Sequence, residues 1–327
     1  MVGDAANGEQ TYAVTTPSIA RTRVYKHHHL DSTRWDHIAF RDDDIVITTP
    51  YKCGTTWTQA IVGGLLHGPE TMVDRDMSPW IDARFWGPIE PIAAAAEANQ
   101  SRRFFKSHLA LDGMVWDDRV KYVVVGRDSR DVFMSLMNHY ANYGDVALGV
   151  LNDDPAFAPI PRFDGDAHGL WANWIGRGCF DWEEDGWPFW SHHHHLSTWW
   201  TVRDEPNVHL VHYSDLSAAP AAEIRRLTDF LGIDATDDTI AAVAAATQID
   251  AMRERLVEAE TASGGPGGGL FTGGVAAFIY KGTNGRWRDV LSPDELAQYD
   301  ARATRLDPAF RRWLERGSEA LLLDAQT

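Results

Sequence analysis

A polar loop with the chemistry of a phosphate site follows the first strongly apolar run of the chain. Residues 44–49 are rich in β-branched side chains and stop at Pro50, which predicts a buried parallel strand. Apolar positions at helical spacing begin at residue 57 and predict a helix. Free backbone N–H groups and the helix dipole favour a phosphate at such a helix start. The candidate residues of this phosphate site are Lys52, Cys53, Gly54, Thr55, Thr56 and Trp57.

The order of residues in this loop differs from that of the Walker A nucleotide loop. A Walker A loop places its lysine directly after its last glycine, whereas Lys52 precedes the single glycine, Gly54. The segment by itself leaves two interpretations open. It is either a phosphate cradle of another kind or an ordinary strand-to-helix turn with polar residues.

Lys106 and His108 form a second candidate group, at the end of a short stretch with strand character. Side chains two residues apart on a strand lie on one face of the sheet. An imidazole titrates near neutral pH and can act as a general base. A lone histidine is more often a surface or core residue, but this one lies between two phosphate-type motifs. The second of these motifs is Arg127 with Ser135, at the strand-to-helix junction after residues 121–125.

The elements that must position these groups alternate between strand and helix. This alternation predicts an α/β fold with a central parallel sheet of about four or five strands and helices on both faces. No linker divides the chain, so residues 1–327 are predicted to form one domain, with residues 1–26 loosely held. The segments with strand patterns are 44–49, 103–106, 121–125 and 208–213.

Capping residues mark the ends of two helices. Pro220 suits the first turn of one helix, and Gly232 follows its last apolar position. Ser292 and Glu295 have the spacing of a capping box, with Pro293 at the first helical position. Between these helices, the glycine-rich segment 264–269 predicts a flexible loop.

Charge and cysteine content exclude several classes of protein. The chain has 30 Lys and Arg against 47 Asp and Glu, a net charge of -17, which disfavours nucleic acids and anionic membrane surfaces as partners. Two cysteines do not make a disulfide framework and favour a reducing, cytoplasmic location. No transmembrane segment is predicted, because no stretch approaches 18 apolar residues. Peripheral membrane contact is expected only if the substrate is a lipid.

Six motifs along the chain resemble, in type and in order, those of the cytosolic sulfotransferases that use 3′-phosphoadenylyl sulfate (PAPS). The residues in these motifs are most similar to those of the actinobacterial, mycobacterial-type branch, which acts on glycolipids or small molecules. The resemblance implies the P-loop-NTPase-like sulfotransferase fold. The motifs lie at residues 52–57, 105–109, 122–135, 213–216, 247–252 and 281–287.

The resemblance also implies an activity and a role for each matched residue. The reaction is in-line transfer of a sulfuryl group from PAPS to a hydroxyl of a hydrophobic small molecule or glycolipid, releasing 3′,5′-ADP (PAP), with no metal. His108 is the general base, assisted by Lys52 and Lys106. The 3′-phosphate is bound by Arg127, Ser135, Lys281 and Gly282, and the adenine lies beside Trp57, Tyr213, Thr247 and Met252.

Two other functions remain open. A nucleotide-dependent small-molecule kinase is disfavoured by the loop order and by the second phosphate motif. A nucleotide-binding module without activity is disfavoured by the retained Lys52, Lys106 and His108. The oligomeric state is left open.

Two insertions, at about 67–100 and 144–195, are predicted to form the acceptor pocket. Seven of the 14 tryptophans lie within thirty positions, between residues 171 and 200, and predict an apolar pocket wall. Residues 192–195 are four consecutive histidines, expected to form a solvated or pocket-lining face in preference to a metal site.

Three residues depart from the family pattern. Arg286 replaces the usual Asp before Trp287 and is expected to have no direct effect. Cys53 replaces the usual Ser or Ala, which predicts an exposed thiol of lowered pKa at a helix N-terminus. Tyr280 replaces an arginine, which removes one cation from the expected 3′-phosphate site.

Overall fold

Four parallel strands form the centre of the molecule. The structure is a computed structural model and describes residues 19–262, 269–279 and 281–318. Within this part of the chain the strands lie in the spatial order β2–β1–β3–β4. The prediction of a parallel sheet of four or five strands is confirmed. The bounds are Ile45–Thr48 for β1, Phe104–Ser107 for β2, Lys121–Gly126 for β3 and Val208–His212 for β4.

The strand register brings the functional loops to one edge of the sheet. Thr48, the last residue of β1, pairs with Ser107 of β2 and with Val124 of β3. The chain segments that follow β1 and β2 therefore leave the sheet side by side. In open parallel sheets the ligand crevice lies at this carboxyl edge.

The helices of the described residues pack around the sheet. Their bounds are Thr55–His67 (α1), Ile89–Ala98 (α2), Ser129–Ala141 (α3), Asp145–Leu151 (α4), Ala167–Gly176 (α5), His192–Trp200 (α6), Tyr213–Ala218 (α7), Pro220–Leu231 (α8), Asp237–Ala246 (α9), Ile249–Ala262 (α10), Gly274–Phe278 (α11), Pro293–Ala303 (α12) and Pro308–Arg316 (α13).

Alternation along the strands divides the core between the two faces of the sheet. Ile47 and Val123 pack with apolar residues of α1, α8 and α9 on one face. Val46 and Val124 pack on the other face with residues of α3, α5 and α6. Successive strand residues point to opposite faces, so a strand covered on both sides is apolar throughout. The prediction of helices on both faces is confirmed.

Both sets of predicted helix ends are present. Helix α8 begins at Pro220 and is capped by Gly232 in the left-handed conformation, with φ of 63°. At α12 the Ser292 side chain accepts the N–H of Glu295, whose carboxylate in turn accepts the N–H of Ser292. The reciprocal bonds satisfy two of the otherwise unpaired donors at the helix start.

The expectation of a loosely held terminus is wrong for residues 19–26. Tyr25 is buried, and its hydroxyl donates to Asp112 Oδ1 at 2.7 Å. The backbone N–H groups of Thr22 and Arg23 donate to the carbonyl of Asp112. Buried apolar surface and paired backbone groups hold this segment against the globule. Residues 1–18 lie outside the described part of the chain.

Tight packing at the end of β3 generates a prediction about stability. A β-carbon on Gly126 would overlap the six-membered ring of the buried Trp313. We expect Gly126→Ala to lower the free energy of unfolding by about 1–3 kcal/mol, the usual cost of overpacking a core. Phenylalanine at position 313 lacks the overlapping atoms, so Gly126→Ala should cost less in a Trp313→Phe background. Denaturant unfolding of the four variants measures this coupling; equal costs in both backgrounds would contradict it.

Candidate functional site

A cavity of about 700 Å³ opens at the carboxyl edge of the sheet, where β1 and β2 end. It brings together most of the residues singled out from the sequence. Those on its wall are Lys52, Gly54, Thr55, Thr56, Trp57, Lys106, His108, Arg127, Ser135, Tyr213, Met252 and Gly282. Cys53, Thr247 and Lys281 do not line it.

The loop after β1 is shaped by two left-handed residues. Lys52 has φ of 66° and Gly54 has φ of 110°. A β-carbon at Gly54 would lie 3.0 Å from the Tyr213 ring, so glycine meets both the conformation and the close approach. Gly54 is also the N-cap of α1, and having no side chain it leaves the first N–H groups of that helix uncapped. Gly54, Thr55 and Thr56 line the cavity, so the start of α1 and the hydroxyl of Thr56 form a candidate anion site there.

Lys52 is a buried cation among other cations. Its Nζ lies 3.3 Å from His139 Nδ1 and 4.9 Å from the centre of the Phe278 ring. Burial, followed by the nearby charges of Lys106 and Arg127, lowers the pKa of Lys52 to about 7. Burial likewise lowers the pKa of Lys106 to about 8, while its Nζ lies 4.1 Å from the centre of the Trp80 ring. An anion in the cavity would raise both pKa values.

His108 is held as a neutral imidazole with one free nitrogen. Its Nδ1 lies 2.7 Å from the carbonyl oxygen of Thr49, which can only accept, so the proton is on Nδ1. Its buried Nε2 has no hydrogen-bond partner among the described residues. Burial, followed by the nearby charge of Lys106, holds the pKa of His108 well below its ordinary value. The ring therefore presents an unprotonated Nε2 at neutral pH.

Asp82, a residue that the sequence analysis missed, fixes the surroundings of His108. Its carboxylate accepts the indole N–H groups of Trp35 at 3.1 Å and Trp80 at 2.8 Å, and the backbone N–H of His108 at 3.0 Å. Burial raises the pKa of Asp82, and these bonds offset part of that increase. Asp82 is 26 positions away from His108, and no local pattern in the sequence relates the two.

Arg127 lies on the cavity wall next to Tyr213. Its guanidinium lies 4.0 Å from the centre of the Tyr213 ring and donates to Asn284 Oδ1 at 2.8 Å. The Tyr213 hydroxyl donates to the carbonyl of Gly282 at 3.0 Å. Arg286, which the sequence analysis names only as a departure without direct effect, lies on the cavity wall and donates to the carbonyl of Met134. Two guanidinium groups thus face the side where Ser135 lies.

The other side of the cavity is mostly apolar. Val73, Phe85 and Trp86 come from the predicted insertion at 67–100, and Val150 and Leu151 from that at 144–195. Both insertions therefore contribute to the wall.

The tryptophans between 171 and 200 do not contribute to it, so that prediction is wrong. Trp171, Trp174 and Trp199 are buried in the core beside α3 and β3.

Comparison with known proteins gives the family. The sulfotransferase domain family matches residues 42–307. The chain belongs to the sulfotransferase family. A glycolipid sulfotransferase of Mycobacterium bovis (strain BCG) is 34% identical over 313 residues, covering 87% of this chain and 91% of that protein. Sulfotransferase 1A1 of rat is 24% identical, covering 79% of this chain and 82% of its own length.

Solved structures show the same fold. Mouse sulfotransferase SULT7A1, complexed with PAP, has a TM-score of 0.61 and 18% identity, with 90% of this chain and 93% of that one covered. Retinol dehydratase, in complex with androsterone and PAP, has a TM-score of 0.58 and 21% identity, with 84% and 82% covered. Membership of the sulfotransferase family sets aside the kinase alternative.

The sequence analysis predicts no transmembrane segment. In residues 19–262, 269–279 and 281–318 of this sulfotransferase, none of the helices has the length and hydropathy to cross a bilayer.

The prediction of an exposed, acidic thiol at Cys53 is wrong. The Cys53 side chain is buried, with Sγ 3.6 Å from His192 Nδ1, and burial raises its pKa. Cys53 does not line the cavity, and its side chain lies against α6 behind the donor loop. Thr247 is also turned away: its hydroxyl donates to the carbonyl of Val243 at 2.8 Å. Tyr280 and residues 264–268 lie outside the described residues.

The four histidines at the start of α6 are not a solvated or pocket-lining face. His192 and His195 are buried behind the donor site: His192 Nε2 lies 3.1 Å from the carbonyl of Arg127, and His195 Nε2 lies 3.2 Å from Thr48 Oγ1. His193 Nε2 lies 2.9 Å from Ser129 Oγ at the start of α3. This run therefore joins α6 to the ends of β1 and β3, the strands that lead into both phosphate loops.

Three other histidines are close enough to be considered as metal ligands. His27, His28 and His29 are buried, with ring nitrogens within 4.8 Å of one another. Nδ1 of His27 accepts the backbone N–H groups of His29 and Leu30, which places the His27 proton on Nε2. Nδ1 of His28 and Nδ1 of His29 are 2.5 Å apart, closer than two nitrogens on one zinc, which are separated by about 3.3 Å. Hydrogen bonds occupy both ring nitrogens of His28 and His29 and Nδ1 of His27 in this conformation.

Burial of the thiols generates a prediction about their reactivity. Burial raises the pKa of Cys53 and raises that of Cys179 to about 12. Because the thiolate is the reactive form, we expect both to be inert to Ellman's reagent near pH 7.5 and to release two equivalents in guanidinium. A Cys179→Ser variant isolates Cys53. Rapid reaction of that variant in the folded state would contradict the buried placement.

Proposed function

We propose that this sulfotransferase transfers the sulfuryl group of PAPS to a hydroxyl of a hydrophobic small molecule or glycolipid. The single observation that carries the proposal is the free Nε2 of His108, on the same cavity wall as Lys52 and Lys106. A neutral base and two cations are what an in-line transfer to a hydroxyl requires.

The division of the cavity supports the placement of the two substrates. The α1 N-terminus, Arg127 and Arg286 offer donors and positive charge to the phosphates of a nucleotide. Trp57 and Tyr213, whose ring centres are 5.3 Å apart, offer faces for an adenine. The apolar side, with Phe85 and Trp86, suits the acceptor. The names of the mycobacterial relatives support a glycolipid as one candidate, and the PAP in related structures supports the donor.

In the proposed reaction each residue acts on a definite atom. His108 Nε2 takes the proton of the acceptor hydroxyl while its oxygen forms a bond to sulfur. The bond between sulfur and the bridging phosphate oxygen breaks, and its electron pair stays on that oxygen. Lys52 stabilises the charge that develops there, and Lys106 supports the transferring group. The products are the sulfate ester, 3′,5′-ADP and a protonated His108. No metal is required in this scheme, and the absence of one stays a prediction.

Donor identity can be tested by calorimetry. In the proposed site Arg127, Ser135 and Arg286 bind the 3′-phosphate, so we expect 3′,5′-ADP to bind at least about tenfold more tightly than 5′-ADP or ATP, a difference of about 1.4 kcal/mol. Titrations of the three nucleotides under identical conditions measure this preference. Equal or tighter binding of ATP would overturn PAPS as the donor.

The base can be tested by substitution. His108→Ala should lower kcat with PAPS about 10²–10⁴-fold, the usual contribution of a general base. Binding of 3′,5′-ADP should stay within about twofold, a change below 0.5 kcal/mol. His37→Ala, at an exposed histidine, is the matched control and should retain activity. A His108→Ala enzyme with wild-type kcat would exclude this residue as the base.

A further inference from the structure

A chain of hydrogen bonds leads away from Lys52 through the cavity wall. Lys52 Nζ lies 3.3 Å from His139 Nδ1, and His139 Nε2 lies 3.0 Å from the Tyr51 hydroxyl. The hydroxyls of Tyr51 and Tyr143 are 3.0 Å apart, and that of Tyr143 lies 3.2 Å from His29 Nε2. The chain ends with His29 Nδ1, His28 Nδ1 at 2.5 Å, and the carbonyl of Pro188, 2.9 Å from His28 Nε2.

The two ends of the chain fix the direction of every bond in it. The Pro188 carbonyl can only accept, so His28 Nε2 donates and His28 Nδ1, in a neutral ring, accepts. His29 then donates from Nδ1 and accepts at Nε2 from Tyr143. Tyr143 accepts from Tyr51, and Tyr51 accepts from His139 Nε2. His139 Nδ1 is thereby left as an acceptor, matching the ammonium of Lys52, which can only donate.

Burial keeps these groups neutral, as the assignment requires. Burial lowers the pKa of His28 to about 4 and holds the pKa values of His29 and His139 well below the ordinary value. It raises the pKa of Tyr51 and of Tyr143. Each imidazole and each hydroxyl of the chain can therefore donate one hydrogen bond and accept one, and each does both.

We propose that His139 is a positioning residue of the transfer reaction, whose Nδ1 holds the Lys52 ammonium at the cavity wall in its charged form. The proposal rests on the role of Lys52 in the proposed function. His139 lies four positions after Ser135 on α3, so one helix face carries both groups. The chain from His139 to Pro188 supplies the fixed tautomer.

The need for this acceptor follows from the charges around Lys52. Lys106 from β2 and Arg127 from the end of β3 both disfavour its charged form, as does burial. His108 and His139, the imidazoles whose pKa values Lys52 affects, are neutral. Before an anionic substrate enters, a hydrogen bond to His139 favours the ammonium over the amine.

Two substitutions at His139 separate hydrogen bonding from packing. The ring of His139 also packs against Phe271 and Phe278, with centres 4.9 and 5.7 Å away. His139→Phe keeps an aromatic ring but removes the acceptor, whereas His139→Gln restores an acceptor oxygen. A charged hydrogen bond of about 1.5 kcal/mol corresponds to about one pH unit in the pKa of Lys52.

The pH profile of kcat/KM for PAPS is the first measurement. Activity that depends on charged Lys52 falls as pH rises through its pKa. We expect His139→Phe to move this alkaline limb about one unit to lower pH and His139→Gln to leave it near the wild-type position. His67→Phe, at an exposed histidine of α1, is the matched control. A limb that is unchanged in His139→Phe, or shifted equally in His139→Gln, would overturn the proposal.

Labelling of Lys52 tests the same inference without catalysis. The rate at which acetic anhydride acetylates Lys52 is measured at a series of pH values by peptide mass spectrometry. The pH at which this rate is half-maximal is the titration midpoint of Lys52 in each variant. His139→Phe should lower that midpoint, and Tyr51→Phe, which keeps His139 but removes its partner, should lower it less. Unchanged midpoints in both variants would overturn the proposal. Absence of transfer by the wild-type enzyme with PAPS would count against the proposed function alone.

Discussion

The hydrogen bond from His108 Nδ1 to the Thr49 carbonyl is the contact on which the site depends. It joins the residue after β2 to the residue after β1, so it ties the base to the donor loop. It also decides the chemistry, because a carbonyl can hold only the tautomer that leaves Nε2 unprotonated. The parallel register that ends β1 and β2 together makes this bond possible. Asp82 secures the arrangement from behind through the backbone N–H of His108.

The cavity concentrates positive charge where solvent is scarce. Lys52, Lys106 and Arg127 lie on one wall, and burial lowers the pKa of both lysines. An isolated ammonium in such a place is costly unless it has hydrogen-bond acceptors or an opposite charge. Neutral imidazole and aromatic faces provide partial compensation, and the phosphates of a nucleotide would complete it. The same crowding that disfavours the empty site therefore favours a polyanionic substrate, despite a net charge of -17 on the whole chain.

Histidines connect several of the elements around this wall by hydrogen bonds. Those at the start of α6 contact the carbonyl of Arg127, Ser129 and Thr48, while His28 and His29 extend the bonds that begin at His139. A neutral imidazole carries one donor and one acceptor, so it can join two backbone or hydroxyl groups without introducing charge. In a cavity whose wall already carries several cationic side chains, this property lets polar groups pair without adding to the repulsion.

Local sequence determined the features that belong to a single strand–loop–helix unit. The parallel α/β architecture, the donor loop around Gly54, the pairing of Lys106 with His108 and the two helix caps follow from periodicity, turn chemistry or motif order over a few residues. Tertiary structure alone decided the burial of Cys53, the inward turn of the α6 histidines and the place of the tryptophans between 171 and 200 in the core. It also decided that Asp82 lies under His108 and that His139 lies against Lys52, a contact across 87 positions. Periodicity shows that a residue lies on a buried face, but its partner is set by how whole elements pack, and that information is not local.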